Sequence, residues 1–390
     1  SPFTLNIEIM AEAPELLFPG KIMIEIRNVS AGRWVVVDEN SGADLEASAR
    51  AVTKTIATAD LYEQTSLEAP SARAEMVFGA AYPAPKTIEP IPDCGLSRDS
   101  AEAAGQIYEQ KWMTHGPRFR VIAGIRHATD KQLIAALRVP SSDSLFASGQ
   151  TADLLIHPLL MDACAQLTGY WAQQTLKERF ITFPAGAGRI RFFSAPPRTG
   201  ENMRARVTVR EITANFVRSD IDIVYQSGRP WACITGWTHL RFELPMELYH
   251  FWRFPRLHPV SRIKQDSDGA CSKSLSCRTP YCEELDSTIW KRAIGWLYLN
   301  RSERAVYRQK MDKEKNGARW LAERIAAKDA IRVFAKKSTG TALLPADIEI
   351  IENESGDLTG PGRSIAGLNP NTALSITREE GCVSAAFPAQ

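Results

Sequence analysis

The stretch HPLLMDACAQLTGYWAQQTL, His157–Leu176, decides the fold. Leu160, Ala163, Leu167 and Trp171 recur at the three-and-four spacing of a helix with a buried side. Asp162 and Gln166 stack one turn apart on a single face that carries almost nothing else that ionises. An acid among Leu, Met, Cys and Ala with an amide beside it is either a costly burial or a catalytic pair. An acid near a helix start also serves as a cap or a solvated charge. The helix alone leaves both readings open.

Downstream, four strands are expected at Ala187–Ala195, Asn202–Ile212, Phe216–Gln226 and Pro230–Phe242. In Asn202–Ile212, Met203, Ala205, Val207 and Val209 alternate with Arg204, Arg206 and Arg210, the pattern of a half-buried strand. Upstream, strands are expected at Phe119–Arg126 and Gln132–Val139, after a proline-rich connector over Pro85–Asp99. The first 85 residues show the same plan in shortened form. Phe3–Phe18 reads as an apolar helix interrupted by Pro14, followed by strands at Lys21–Val29, Arg33–Val37, Glu46–Thr55 and Ala72–Tyr82. A helix apolar over most of its surface needs a sheet wrapped around it. The plan is therefore α+β, a double hotdog: a curved sheet around a central helix, used twice.

At 390 residues the chain has room for roughly two to three domains. Apolar content of 44% and charged content of 24% are ordinary for a globular protein, and a net charge of +2 argues against nucleic acid as the main partner. Seven cysteines are scattered, and only Cys271, Cys277 and Cys282 form a loose trio, in a Ser-rich segment. The odd count, with no secretion signal in view, fits a reducing cytoplasm. No apolar run approaches the roughly 18 residues of a membrane span. The chain opens on Ser-Pro, and a piece of a longer protein is expected.

HPLLMDACAQ, with HGPRF (His115–Phe119) upstream and FPAGAGRIRFF (Phe183–Phe193) downstream, resembles the double-hotdog dehydratase domain of polyketide synthases over roughly Ser1 to Pro245. That family carries HPxLLDxxxQ on the second hotdog's helix and a YGPxF element before it. SPFTLNIEIMAEAPELLFPG is similar to the first hotdog's helix. The resemblance implies that Asp162 protonates the departing hydroxyl of a 3-hydroxyacyl thioester and that Gln166 holds that hydroxyl. It implies substrate contacts at His115, Gly116, Pro117, Phe119, His157 and Pro158. In the family a His of an HxxxGxxxxP motif on the first hotdog removes the C2 proton. No HxxxGxxxxP occurs in this chain, and truncation is the expected reason. His115 stands where the family has Tyr, and is read as a loop residue before a Gly-Pro turn rather than as the base. His127, His157 and His239 read as turn, cap and strand residues. Half a catalytic dyad is expected to eliminate no water.

Met246–Pro259 is aromatic and basic and reads as a chain packing its aromatics on the preceding domain, with a linker continuing to residue 282. Residues 283–390 form a second unit, helical at Leu285–Leu299 and Trp320–Phe334. RWLAERIAAKDAIR (Arg319–Arg332), DIEIIENESGDL (Asp347–Leu358) and ALSITREEGCVSAA (Ala373–Ala386) resemble, in order, three elements of phosphopantetheinyl transferases of the small holo-ACP synthase type. An amphipathic helix with solvated charges is the other reading of the first segment. The resemblance implies a catalytic Lys328, Mg²⁺ held by Asp329 with Asp286 as a weak second ligand, and coenzyme A. Arg378 stands where that family has His, and Asp357-Leu358 depart from its turn.

The domain plan is thus a partial first hotdog over 1–85, a second over 86–245, a linker over 246–282 and a transferase-like domain over 283–390. The order looks like the C-terminal end of iterative polyketide synthases of the enediyne and polyunsaturated-lipid kind. The expected partners are an acyl carrier protein and its acyl thioester, with neither nucleic acid nor membrane, and a homodimer through the hotdog as an option. A product-template cyclase of the same fold, an inactive acyl-binding or docking module, and a free hotdog hydrolase are the alternatives.

Overall fold

In the computed structural model, α3 (Pro158–Leu176) is buried on every side from Pro158 to Gln173. The structure describes residues 2–35, 37, 42–64, 67–93, 98–145, 154–264, 274–280, 288–311, 316–361, 371–379 and 382–388. The chain divides into two units, Ser1–Leu244 and Pro245–Gln390.

In the first unit, α1 (Phe3–Glu15) is followed by β1 (Ile22–Ala31), β2 (Leu45–Ala51), β3 (Ile56–Glu63) and β4 (Ala72–Gly79). Then come α2 (Arg98–Glu109), β5 (Ile122–Thr129), β6 (Gln132–Arg138), α3, β7 (Phe180–Phe192), β8 (Asn202–Ile212), β9 (Phe216–Tyr225) and β10 (Pro230–Glu243). All ten strands join one antiparallel sheet in the order β2-β3-β4-β1-β7-β10-β9-β8-β6-β5. The β2–β3–β4 side wraps α1 and the β7–β5 side wraps α3, a hotdog-like α+β arrangement with two helices in one sheet. Phe3, Ile7, Met10 and Ala11 of α1 share a core with Leu160, Ala163, Leu167 and Trp171 of α3.

The β1–β7 pair joins the two halves. Ile26 faces Ile190 inside the sheet, while Glu25 on the other face meets Arg27, Arg189 and Arg191. Burial pushes the Glu25 carboxyl up, but the arginines outweigh it and hold it below the usual carboxylate range.

Several local expectations are corrected. Arg33–Val37 is no strand over its described residues, because the Gly32 and Arg33 amides both donate to the Ser71 carbonyl and turn the chain away. Glu46–Thr55 breaks at Ala51, and β3 begins immediately after the bend. β7 starts at Phe180 rather than Ala187 and carries Pro184 inside it, where its β10 pairing has an irregularity at Thr238/His239. His127 lies in β5 rather than in the turn after it.

The second unit holds α4 (Met246–Arg253), α5 (Thr288–Tyr298), α6 (Arg301–Met311) and α7 (Asn316–Thr339). Its six-stranded sheet runs β11-β12-β16-β15-β14-β13, with β11 at Arg262–Lys264, β12 at Ser274–Pro280, β13 at Ile351–Glu352, β14 at Leu358–Pro361, β15 at Asn371–Glu379 and β16 at Cys382–Pro388. The stretch expected as a linker therefore contains a helix and two strands. Ala322, Ala326, Ala330 and Ile331 of α7 pack with Ile348, Leu358, Leu374 and Ala385. Cys271, Cys282 and Asp286 lie outside the described residues. Among the described residues, no helix is long and apolar enough to cross a membrane.

Glu8 ties α1 to the approach to α3: its two carboxyl oxygens accept from the Leu155 and Ile156 amides at 2.7 and 2.9 Å. Burial lifts its carboxyl from 4.5 to about 7, over the opposing pull of those amides. A carboxyl raised in this way lends its stability below pH 4.5 and loses it as the pH climbs through about 7. Replacing it with the uncharged Glu8→Gln is therefore expected to shift relative stability toward the variant by about 3 kcal/mol between acid and alkaline pH. Urea titrations of both proteins across that range measure the difference, and a difference constant with pH refutes it.

Candidate active site

Asp162 sits in the second turn of α3 and is 3% exposed. The turn before it is set by His157, which adopts a left-handed backbone (φ 52°) and accepts from the Leu160 amide through Nδ1 at 3.3 Å. His157 is thus the helix cap, Pro158 is its first residue, and both are buried. Burial also holds the His157 imidazole below its ordinary range.

Gln166 and Asp162 are joined directly, the Gln166 amide Nε2 donating to Asp162 Oδ2 at 2.7 Å. The same nitrogen donates to the Phe119 carbonyl at 2.9 Å, and Gln166 Oε1 accepts from the Tyr108 hydroxyl at 2.8 Å. Both amide hydrogens are occupied, so Gln166 orients the acid, and its Oε1 keeps a second lone pair beyond the one that Tyr108 uses. Thr4 of α1 approaches Asp162 Oδ1 at 3.4 Å. His115 Nε2 lies 3.5 Å from Asp162 Oδ2, with its side chain 30% exposed.

Gly116 caps a short turn over Pro117–Phe119. That turn aims the His115 ring and the Phe119 carbonyl at the same helix face, while Gly116 and Pro117 are themselves exposed. The His115 carbonyl is held by Arg120 Nε at 3.1 Å. Burial raises the Asp162 carboxyl above the ordinary range, against the opposing pull of His115, Gln166 and Thr4. Burial lowers His115, against Asp162. Burial thus works against the charged form of both groups. Further along α3, Gly169 makes room for Thr182 and Met113; a Cβ there would stand 2.8 Å from Thr182 Oγ1.

Reasoning from the sequence missed Thr4, Tyr108 and α2. The helical spacing of Ala104, Ile107 and Tyr108 was the available signal for α2.

In the second unit, Lys328 and Asp329 are both fully buried. Lys328 Nζ pairs with Glu303 and donates to the carbonyls of Tyr298 at 2.8 Å and Pro345 at 3.2 Å. Burial lowers its ammonium to about 8 against the pull of Glu303. The Asp329 carboxylate accepts from the Val260 and Ser261 amides, the Ser261 and Tyr298 hydroxyls and Arg332. No donor on Lys328 and no lone pair on Asp329 is left to reach a pyrophosphate or a magnesium ion, so the pair does not fit those groups as placed. Among the described residues, no cluster of three or more His, Cys, Asp or Glu is arranged to hold a metal.

Residues 83–243 match the family model described as the polyketide synthase dehydratase N-terminal domain. One chain of the polyunsaturated fatty acid synthase of Thraustochytrium sp. is 30% identical over 188 residues, 45% of this chain and 6% of that protein. The phthioceranic/hydroxyphthioceranic acid synthase of Mycobacterium tuberculosis is 26% identical over 168 residues, 43% of this chain and 8% of its own. The matched stretch is thus a small part of either relative. Among solved structures, the dehydratase domain from the CurK module of curacin polyketide synthase superposes with a TM-score of 0.48 at 18% identity, covering 62% of this chain and 84% of that one. A mycocerosic acid synthase-like dehydratase domain gives 0.48 at 15% identity, covering 62% and 81%. Residues 83–243, which contain Asp162, Gln166 and His115, are thus similar to the dehydratase domains of polyketide synthases.

Gln166→Leu strands the Tyr108 hydroxyl proton and the Phe119 carbonyl and leaves Asp162 Oδ2 only the His115 contact at 3.5 Å. At about 1–3 kcal/mol for each stranded buried group, a loss of about 3 kcal/mol or more is expected by urea unfolding. A loss below about 1 kcal/mol would show that water replaces the amide.

Proposed function

We propose that the first unit dehydrates a 3-hydroxyacyl thioester presented by a carrier protein, with Asp162 as the acid that protonates the departing hydroxyl. The observation that carries this is a desolvated carboxyl, held by Gln166 and pushed by burial toward its protonated form. A hydroxyl leaves as water only when a proton reaches it as the bond breaks. A carboxylate in bulk solvent has no proton to give near neutrality, whereas a buried one keeps it.

Gln166 fixes the orientation of the acid through Tyr108 and the Phe119 carbonyl. Thr4 adds a contact from the other helix, so both halves of the sheet contribute to the site. The match of residues 83–243 to the dehydratase family supports the same reaction class. A cyclase or a purely acyl-binding module on this fold has no single contact in the site that favours it.

Transfer of phosphopantetheine by the second unit rests on the sequence resemblance of 319–332, 347–358 and 373–386. The buried Lys328 and Asp329 act there as core ion pairs, and a transferase would need other residues to gather coenzyme A and magnesium. Incubation with coenzyme A, magnesium and an apo carrier protein tests the activity. A mass gain of one phosphopantetheine on the carrier supports it, and an unmodified carrier rejects it.

For the dehydratase, Asp162→Asn keeps the shape of the acid and removes its proton. Turnover of a 3-hydroxyacyl pantetheine thioester is expected to fall by about 10²–10⁴-fold. A rate equal to that of the unaltered chain takes Asp162 out of the reaction.

A further inference from the structure

We propose that the outer face of the first unit's sheet carries a site for a phosphate-bearing small molecule, seated in a glycine-floored groove between Arg189 and Arg218.

The groove comes from the way three neighbouring strands, β1, β7 and β10, are built. Ile26 and Val29 of β1 are both buried although three apart, and Asn28 between them takes a left-handed backbone (φ 51°). Ile234 and Trp237 of β10 are likewise both buried and three apart, with Gly236 at φ 70°. Each of the two strands therefore carries a bulge, and its pairing shifts register there. Between them β7 runs Gly186-Ala187-Gly188. A Cβ at Gly186 would stand 2.6 Å from the Val29 carbonyl oxygen, a contact that only glycine avoids. With no side chains on Gly186, Gly188 and Gly236, the surface sinks to bare backbone, and a cavity of about 620 Å³ opens over it. That is the size of a small-molecule site, larger than an inorganic anion needs.

Charge decides the occupant. Both charged residues that line the groove are arginines, Arg189 on β7 and Arg218 on β9. Arg189 lies directly across from Arg27 on β1, a like-charge pairing that disfavours the sheet unless an anion offsets it. Glu25 is shared three ways: Arg27 and Arg191 hold it closely, while Arg189 reaches it only through Nε at 3.4 Å. Glu75, across from Arg27 on β4, is one strand further from the groove. Arg218 spends one terminal nitrogen on Glu211 at 2.6 Å and its Nε on Thr238 Oγ1 at 3.4 Å, which leaves the other terminal nitrogen. Asp220, on the same strand, is already taken up by the Gly236 amide and Arg210.

β7 and β9 flank β10, so the two arginine backbones are about 10 Å apart, and side chains of that length reach a common point between them. Guanidinium forks bind carboxylates and phosphates alike. A carboxylate has two oxygens, which one fork fills. A phosphate ester keeps three, enough for both arginines and the exposed Thr235 hydroxyl between them. Phosphate is the better fit, and the remaining volume takes the organic part, beside Ala185 and Ala187. The groove lies on the face of the sheet turned away from α3, so it does not depend on the reading of Asp162.

Calorimetric titration of the full chain with phenyl phosphate, inorganic phosphate and succinate tests the site. Phenyl phosphate is expected to bind one per chain, more tightly than either of the others. Arg189→Gln and Arg218→Gln should each weaken it by about tenfold or more. Arg73→Gln, which alters another exposed arginine of the same sheet, on β4 and paired with Asp60, should leave it unchanged. If one groove variant fails to fold, the other decides. A full chain that takes up no phenyl phosphate overturns the site, as does an equal loss in Arg73→Gln, which would reduce the effect to net charge. Succinate binding as tightly overturns the phosphate assignment, and inorganic phosphate binding as tightly overturns the place given to an organic part.

Discussion

The first unit depends on enclosing a helix that has no solvent-facing side. From Pro158 to Gln173 every residue of α3 is buried, which only a surrounding sheet and a second helix provide. Enclosure carries Asp162 out of water together with its apolar neighbours. The driving force that closes the core is thus the same one that raises the carboxyl, as the proposed acid role requires. Stability and chemistry share one cause here.

Buried charges elsewhere in the chain show the alternatives. Glu25 lies on the sheet face at the β1–β7 join, and three arginines keep it ionised. Asp329 is fully buried, and five donors with Arg332 among them bind its carboxyl oxygens. Lys328 is held by Glu303 and two carbonyls. Each has partners enough to offset the loss of water. Asp162 has an amide, a distant hydroxyl and an imidazole whose charged form burial opposes. Under-compensation is what separates the proposed acid from the fully partnered charges.

That comparison also bears on the second unit. The segment Arg319–Arg332 has alternating charges that read in sequence either as a solvated helix face or as a cofactor site. In the fold Arg324, Lys328, Asp329 and Arg332 all lie inside, in ion pairs or hydrogen bonds that brace α7 against its neighbours. Neither reading anticipated this, because a helical charge pattern does not say which face the rest of the unit covers.

The sequence by itself determined the elements with strong periodicity: the apolar α3, the alternating β8, and the Asp162–Gln166 pair one turn apart. These depend on neighbours three or four residues away, or two along a strand, and local spacing encodes them fully. It misplaced the β2–β3 bend, the start of β7 and all of α2, where polar residues or an internal proline blur the period. Only the tertiary structure decided what surrounds the acid. Thr4 is 158 residues from Asp162, and Tyr108 is 58 from Gln166. Whether His115 is a loop residue or the acid's partner turns on where Gly116 and Pro117 swing the chain across α3. Contacts at such separations arise from chain closure and burial, and no local pattern records them.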